Sequence, residues 1–221
     1  MIQEQDVQTV NPGYGDFSTK EVVSFPSGRI HDNVTLKKVE FFSGDSKAGN
    51  AYQAIKFLYF KETDKEIWTL TDQMLQVDKS KMITWDHEED IDDTFLKVIT
   101  DFNARIKHIA LQFVTVAELT EACKNIVSFE DFATKLMNLL NPILITGKKK
   151  VYLKVMPNGS NYSEVPRFPK FIGTMDEPLD LVITTKEYEK INKIKNAVPK
   201  ADTVLKITED DDDLELELDI S

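Results

Sequence analysis

The amino-acid sequence predicts an α+β chain, a small antiparallel β-barrel interrupted by a helical segment. Three observations carry that expectation. Aromatic- and β-branched-rich runs stand early, VTLKKVEFF at 34–42 and YQAIKFLYFK at 52–61. The apolar period then lengthens to that of a helix across residues 92–141, and strict alternation returns at Val151-Tyr152-Leu153-Lys154-Val155. With 221 residues, 41% of them apolar and 13 of them Phe, the chain holds enough material for one sizeable core.

The elements follow in order. Residues 1–19 include Asn11-Pro12-Gly13-Tyr14-Gly15 and little periodicity, so they read as a flexible arm. Val22–Phe25 is a short strand stopped by Pro26-Ser27-Gly28. Strands 34–42, 51–61 and 66–71 follow in meander order, separated by Ser43-Gly44-Asp45 and by Glu62-Thr63-Asp64-Lys65. Phe95, Ile99, Phe102, Ile106, Ile109 and Phe113 then recur at spacings of four and three, a buried helix stripe that Asp92 or Asp93 can cap. Thr115-Val116-Ala117-Glu118 has the form of a capping box. Ser128 opens another helix, with Phe132, Leu136 and Leu140 on one face, expected to end at Asn141-Pro142. Beyond Val151–Val155, Pro166 and Pro169 resist regular pairing, LDLVIT at 179–184 reads as a last strand, and a short polar helix runs from Thr185 to about Lys195. The domain boundaries are therefore an arm at 1–19, a body at 20–200 with a helical insertion at 92–141, and a disordered acidic tail at 201–221.

Charge and cysteine usage exclude several classes. The chain carries 27 Lys+Arg against 38 Asp+Glu, a formal net charge of −11. Eight of those acids and none of the cations fall in EDDDDLELELDIS at 209–221, so residues 1–208 carry only −3. Five consecutive acids repel one another and bury nothing, which predicts a solvated tail. Leu214, Leu216, Leu218 and Ile220 alternate with acids there, a pattern suited to docking as an extended strand rather than to solubility alone. The tail lacks the spacing and central glycine of an EF-hand. A second acidic cluster, Asp86 to Asp93, reads as a solvated loop and helix cap. His87-Glu88 lacks the second His of a zincin motif, because position 91 is Ile. The single cysteine, Cys123, excludes a disulfide framework and any multi-cysteine metal site, and reads as a partly buried filler. No apolar run reaches about 18 residues, and the polar start MIQEQDVQTV does not read as a signal peptide, so a cytoplasmic protein is expected, in the host cytoplasm if viral. No phosphate-binding Gly-rich loop, nucleophile elbow or zinc-ligand set is present; neither enzymatic activity nor a cofactor or metal is expected, although spacing alone does not dispose of a two-carboxylate nuclease.

Three strands, a helical insertion and two further strands is the order of an OB-like antiparallel β-barrel with the insertion between strands three and four. Barrels of that kind present aromatic and basic groups to single-stranded nucleic acid. The candidates on or beside the strands are Lys37, Lys38, Tyr52, Lys56, Lys61, Trp68, Lys148, Lys149, Lys150, Tyr152, Lys154, Arg167 and Phe168. Residues 148–154 hold four lysines and no acid. Strand alternation places Tyr152 and Lys154 opposite three aliphatics, hence at the surface, whereas a ring as large as Trp68 is expected in the core.

A barrel body followed by an acidic C-terminal tail resembles the single-stranded DNA-binding proteins of bacteriophages and bacteria, carried by strands 34–42, 51–61, 66–71 and 150–156 and the tail 209–221. The resemblance lies in architecture and charge layout. It implies stoichiometric coating of single-stranded DNA in replication or recombination. It further implies a tail (Asp210, Asp211, Asp212, Asp213, Leu214, Leu216, Leu218 and Ile220) that docks replication or recombination proteins and competes with DNA for the groove. Bacterial tails usually finish in an aromatic residue, whereas this one finishes Leu218-Asp219-Ile220-Ser221. The near-balanced body also suits an alternative, a viral structural or assembly protein with an acidic tail and no nucleic-acid binding. No membrane partner is expected, and the sequence leaves DNA versus RNA, the length of strand covered and the oligomeric state open.

Overall fold

The computed structural model describes residues 20–46, 49–81, 90–158, 162–166, 170–177 and 180–197. The element order is β1 (Glu21–Ser24), β2 (Arg29–Asp45), β3 (Ala51–Glu62), β4 (Glu66–Leu75), α1 (Ile91–Ala110), α2 (Val116–Ala122), α3 (Phe129–Leu144), β5 (Val151–Pro157), β6 (Ser163–Glu164), β7 (Ile172–Thr174) and α4 (Thr185–Ala197). The strands form one seven-stranded sheet in the order β1-β4-β3-β2-β5-β6, with β7 on β5, curled into a nearly closed barrel. The meander β2-β3-β4 is antiparallel throughout, while β1 runs parallel to the first half of β4. The predicted arm and tail lie outside the described residues, as do residues 86–89 of the second acidic cluster. No helix among the described residues is long and apolar enough to cross a membrane.

Strand β2 organises the barrel. Its first half pairs with β5 and its second with β3, and two irregularities let one long strand serve both. The first lies between His31 and Val34, where Asn33 adopts φ 52°, a left-handed conformation that asparagine tolerates better than most residues. The second lies between Leu36 and Lys38, where Lys37 is an extra residue opposite β3. An extra residue inverts the alternation. Val34 and Leu36 face the core before it, Val39 after it, and Lys37 and Lys38 stand together on the outer side.

The core fills the space between this sheet and the helices. Leu36, Val39, Ile55, Phe57 and Tyr59 belong to one buried cluster with Phe102, Ile106 and Ile109 of α1 and Leu136 and Leu140 of α3. Helix α1 is capped by Asp90, whose side chain accepts from the Asp92 N–H at 2.8 Å, rather than by the expected Asp92 or Asp93. Helix α2 opens with the anticipated capping box between Thr115 and Glu118. Helix α3 continues through Pro142 to Leu144 instead of stopping at Asn141. Proline forfeits only one donor in this last turn, and Asn141 is pinned by its side chain: Oδ1 accepts from Val39 N–H at 2.8 Å and Nδ2 donates to the Val39 carbonyl at 3.0 Å.

Residues 181–184 are not the expected strand. The Val182 carbonyl accepts from Lys154 Nζ at 3.1 Å, and Thr184 caps α4, so side chains take the place of a ladder. The last sheet strand is instead β7, which follows directly on the proline-containing stretch 166–171.

Arg105 and His31 are two of the ionisable side chains buried in the body. Arg105 of α1 donates to the Pro166 carbonyl at 2.6 Å and to Asp72 of β4 at 2.6 Å, with its guanidinium 4.3 Å from the Phe171 ring centroid. It thereby ties α1 to β4 and to the chain after β6. His31 sits edge-on to Phe25 and Trp68 at 5.1 and 5.3 Å, with Nε2 2.7 Å from the Pro26 carbonyl. Burial pushes its pKa down from 6.5 to about 4, aided by Arg29 and Lys61 and opposed by the Pro26 carbonyl and by Asp32. Between those two values the unfolded chain binds a proton that the folded chain refuses, so stability falls as pH drops through the window. Urea unfolding at pH 7 and pH 5 should differ by about 2 kcal/mol from this group, and His31→Gln should remove that part of the slope.

Candidate nucleic-acid interface

The outer face of β2-β3-β4 is built by three alternations held in register. On β3 the residues facing away from the core are Tyr52, Ala54, Lys56, Leu58 and Phe60, since Ile55, Phe57 and Tyr59 face in. Their cross-strand partners on β2 are Gly44, Phe42, Glu40, Lys38 and Thr35. On β4 they are Leu75, Gln73, Thr71 and Thr69, opposite Ala54, Lys56, Leu58 and Phe60. From Tyr52 to Phe60 this row extends about 27 Å at the usual strand rise.

Lysines and rings interleave along that row. Lys56 Nζ lies 3.6 Å from the Phe42 ring centroid, and the Phe42 and Tyr52 rings stand 5.5 Å apart, tilted by 37°. Lys37 Nζ lies 5.1 Å from the Phe60 centroid and covers that ring. Lys150, arriving from the start of β5, donates to Thr35 Oγ1 at 2.6 Å, and Thr35 is the cross-strand partner of Phe60. Lys38 pairs with Glu40 at 2.7 Å. Among the described residues, Lys37, Lys56 and Lys150 form no salt bridge, so the face carries an excess of positive charge. Phe42 and Tyr52 are half-buried, whereas Phe60 is buried beneath Lys37; accessible rings beside ammonium groups are the parts needed to stack bases while the cations follow phosphates.

Five of the sequence candidates therefore share one face: Lys37, Lys38, Tyr52, Lys56 and Lys150. The others are elsewhere. Lys61 and Trp68 face the other way at the far end of β3 and β4, where Lys61 bonds Asp32 at 2.6 Å and the Trp68 indole donates to Glu66 at 2.7 Å. Lys149 donates to the Gln112 and Phe113 carbonyls just after α1, and Lys148 is exposed in the turn before β5. Arg167 and Phe168 lie outside the described residues. Tyr152 is half-buried opposite Gly173 rather than exposed.

Lys154 is not at the surface. It is fully buried, its Nζ 2.8 Å from Glu187 of α4. Alternation correctly separated it from Val151, Leu153 and Val155, but α4 and residues 181–184 cover that second face of β5. Burial raises the Glu187 carboxyl, yet hydrogen bonds from Lys154 and Thr184 outweigh it and hold the group below the usual carboxylate range.

The rings Phe42 and Phe60 were absent from the sequence candidates. Both stand in long apolar runs, and only the bulge at Lys37 reveals which phenylalanine of the pair 41–42 turns outward: Phe41 packs toward Phe129, and Phe42 toward Tyr52. Among the described residues no three His, Cys, Asp or Glu side chains gather to hold a metal ion. No known protein family, curated protein or solved structure matches the chain.

Proposed function

We propose that the protein binds single-stranded DNA stoichiometrically, in replication or recombination, on the outer face of β2-β3-β4. In this reading the barrel is OB-like. The meander β2-β3-β4 and strand β5 stand for its first four strands, and α1–α3 form an enlarged insertion between the third and the fourth. The observation that carries the proposal is the run Lys150–Thr35–Phe60–Lys37, continued by Lys56–Phe42–Tyr52, along one strand face. The half-buried rings of Phe42 and Tyr52 would each contribute about 1–3 kcal/mol when a base stacks on them, and the lysines add a sequence-independent, salt-dependent grip. Phe42→Ala or Tyr52→Ala should therefore weaken binding of a labelled oligonucleotide by about 1–3 kcal/mol each with the salt slope unchanged, because neither ring displaces counterions.

The acidic tail completes the mechanism. A tethered peptide acts at up to about millimolar effective concentration, so residues 209–221 compete with DNA for the lysines even when the contact is weak. Deleting them should tighten oligonucleotide binding, most at low salt, where charge competition is least screened. Fluorescence anisotropy with the full chain and with residues 1–208 tests this. Equal affinities would end the idea of self-competition, and a body that binds no single strand at low salt would end the whole proposal.

A further inference from the structure

Both lysine–ring pairs of the outer face put the cation on top of the ring, Lys37 over Phe60 and Lys56 over Phe42. Phe60 is buried as well, so Phe42 is the ring on which a base can take the cation's place. Lys56 Nζ stands 3.6 Å from the Phe42 centroid. A base stacks at about 3.5 Å, so the ammonium occupies the position a base would take on that face. The ring has little room to turn elsewhere. It reaches along its own strand until a Cβ at Gly44 would meet Phe42 Cζ at 2.9 Å, and the Tyr52 ring stands 5.5 Å away.

Charge placement explains why Lys56 lies there. Its cross-strand partner is Glu40, but Glu40 is taken by Lys38 at 2.7 Å. Among the described residues no carboxylate pairs with Lys56, and the negative face of the Phe42 ring is its partner instead.

We propose that Lys56 restricts the Phe42 platform to bases that arrive with a phosphate. Given the DNA-binding reading of this face, on which the assignment rests, a phosphate beside the base receives the ammonium as it leaves the ring. One favourable contact then replaces another. A neutral aromatic ligand offers no such acceptor, and it forfeits the cation–ring contact to gain the stack. At a partly exposed site that contact is worth about two- to fivefold in affinity. The ligand class selected is a phosphodiester strand, and free bases, indoles and uncharged base polymers are disfavoured. Lys56 is therefore a specificity residue with opposite effects on charged and neutral ligands.

The probes are an adenine oligodeoxynucleotide and the uncharged peptide nucleic acid of the same length and bases. Each is titrated against the full-length chain and against its Lys56→Ala variant, with unchanged thermal unfolding certifying the variant's fold. The variant should bind the peptide nucleic acid about two- to fivefold more tightly than the parent does. It should bind the oligodeoxynucleotide more weakly at low salt, with a salt slope shallower by about 0.7, so that the two curves cross as salt rises. A phosphate contact alone would weaken DNA binding and leave the neutral polymer untouched. In the parent, the Lys56 ε-proton resonances should lie upfield under the Phe42 ring and move downfield when the oligodeoxynucleotide binds. Unchanged or weaker binding of the peptide nucleic acid by the variant, parallel salt curves, or ε-protons that stay in place would overturn the role of Lys56 while leaving DNA binding intact. A parent chain that binds no oligodeoxynucleotide at low salt would overturn the DNA-binding reading, and the role of Lys56 with it.

Discussion

Replacing Lys154 with alanine lowers the free energy of unfolding by about 3–5 kcal/mol, the range for removing one partner of a buried ion pair. The ammonium is wholly enclosed and bonds Glu187 and the Val182 carbonyl. Glu187 is also the residue through which Thr184 caps α4: its Oε2 accepts from the Thr184 N–H at 2.8 Å, and its own N–H reaches Thr184 Oγ1. One carboxylate thus serves the helix start and the strand beneath it, and alanine at 154 leaves that charge half-enclosed without a counterion. Chemical denaturation measures the loss. The double variant Lys154→Met, Glu187→Gln should recover most of it, since replacing both charges with groups of similar volume removes the uncompensated one. A loss below about 1 kcal/mol in the single variant would mean that Lys154 lies at the surface after all.

Converting Lys37, Lys56 and Lys150 together to alanine should make the dependence of log affinity on log salt shallower by about 2, from three lost phosphate contacts on a single strand. The three ammonium groups lie along one sheet face, each over a ring or bonded to a hydroxyl beside one. Their removal leaves the core untouched, so thermal stability should stay within about 0.5 kcal/mol of the parent. The matched control is Lys61→Ala with Lys149→Ala, two lysines engaged elsewhere, which should leave the slope as it was. An unchanged slope in the triple variant, or the same change in the control, would show that DNA contacts another part of the molecule.

What could be read from the sequence depended on how local the determinant was. The stripe from Phe95 to Phe113 and the Thr115–Glu118 box are set by neighbours within a few residues, and α1 and α2 stand where those signals put them. The strand pattern located β2, β3 and β5, because aromatic and β-branched alternation is a property of each segment alone. The face on which a side chain falls is less local. One inserted residue at Lys37 reverses the count along β2, which is how Phe42 reaches the candidate surface while Phe41 packs against the core. Burial by a distant element is not local at all. Nothing in Val151–Val155 announces that α4 will close over Lys154, and nothing in LDLVIT announces that Thr184 will be spent as a cap. The two lysines of the bulge, with Lys56 and Tyr52, were legible as materials; their assembly with Phe42 and Phe60 into a single row required the register.

Ultraviolet cross-linking of a bromodeoxyuridine oligonucleotide to the full-length chain, followed by mapping of the attached peptides, tests the central claim most directly. Adducts should concentrate at Phe42 and Tyr52, in the peptides spanning residues 38–61, and decline as salt is raised. Adducts confined to residues 91–144, or none at low salt, would contradict the assignment of the β2-β3-β4 face.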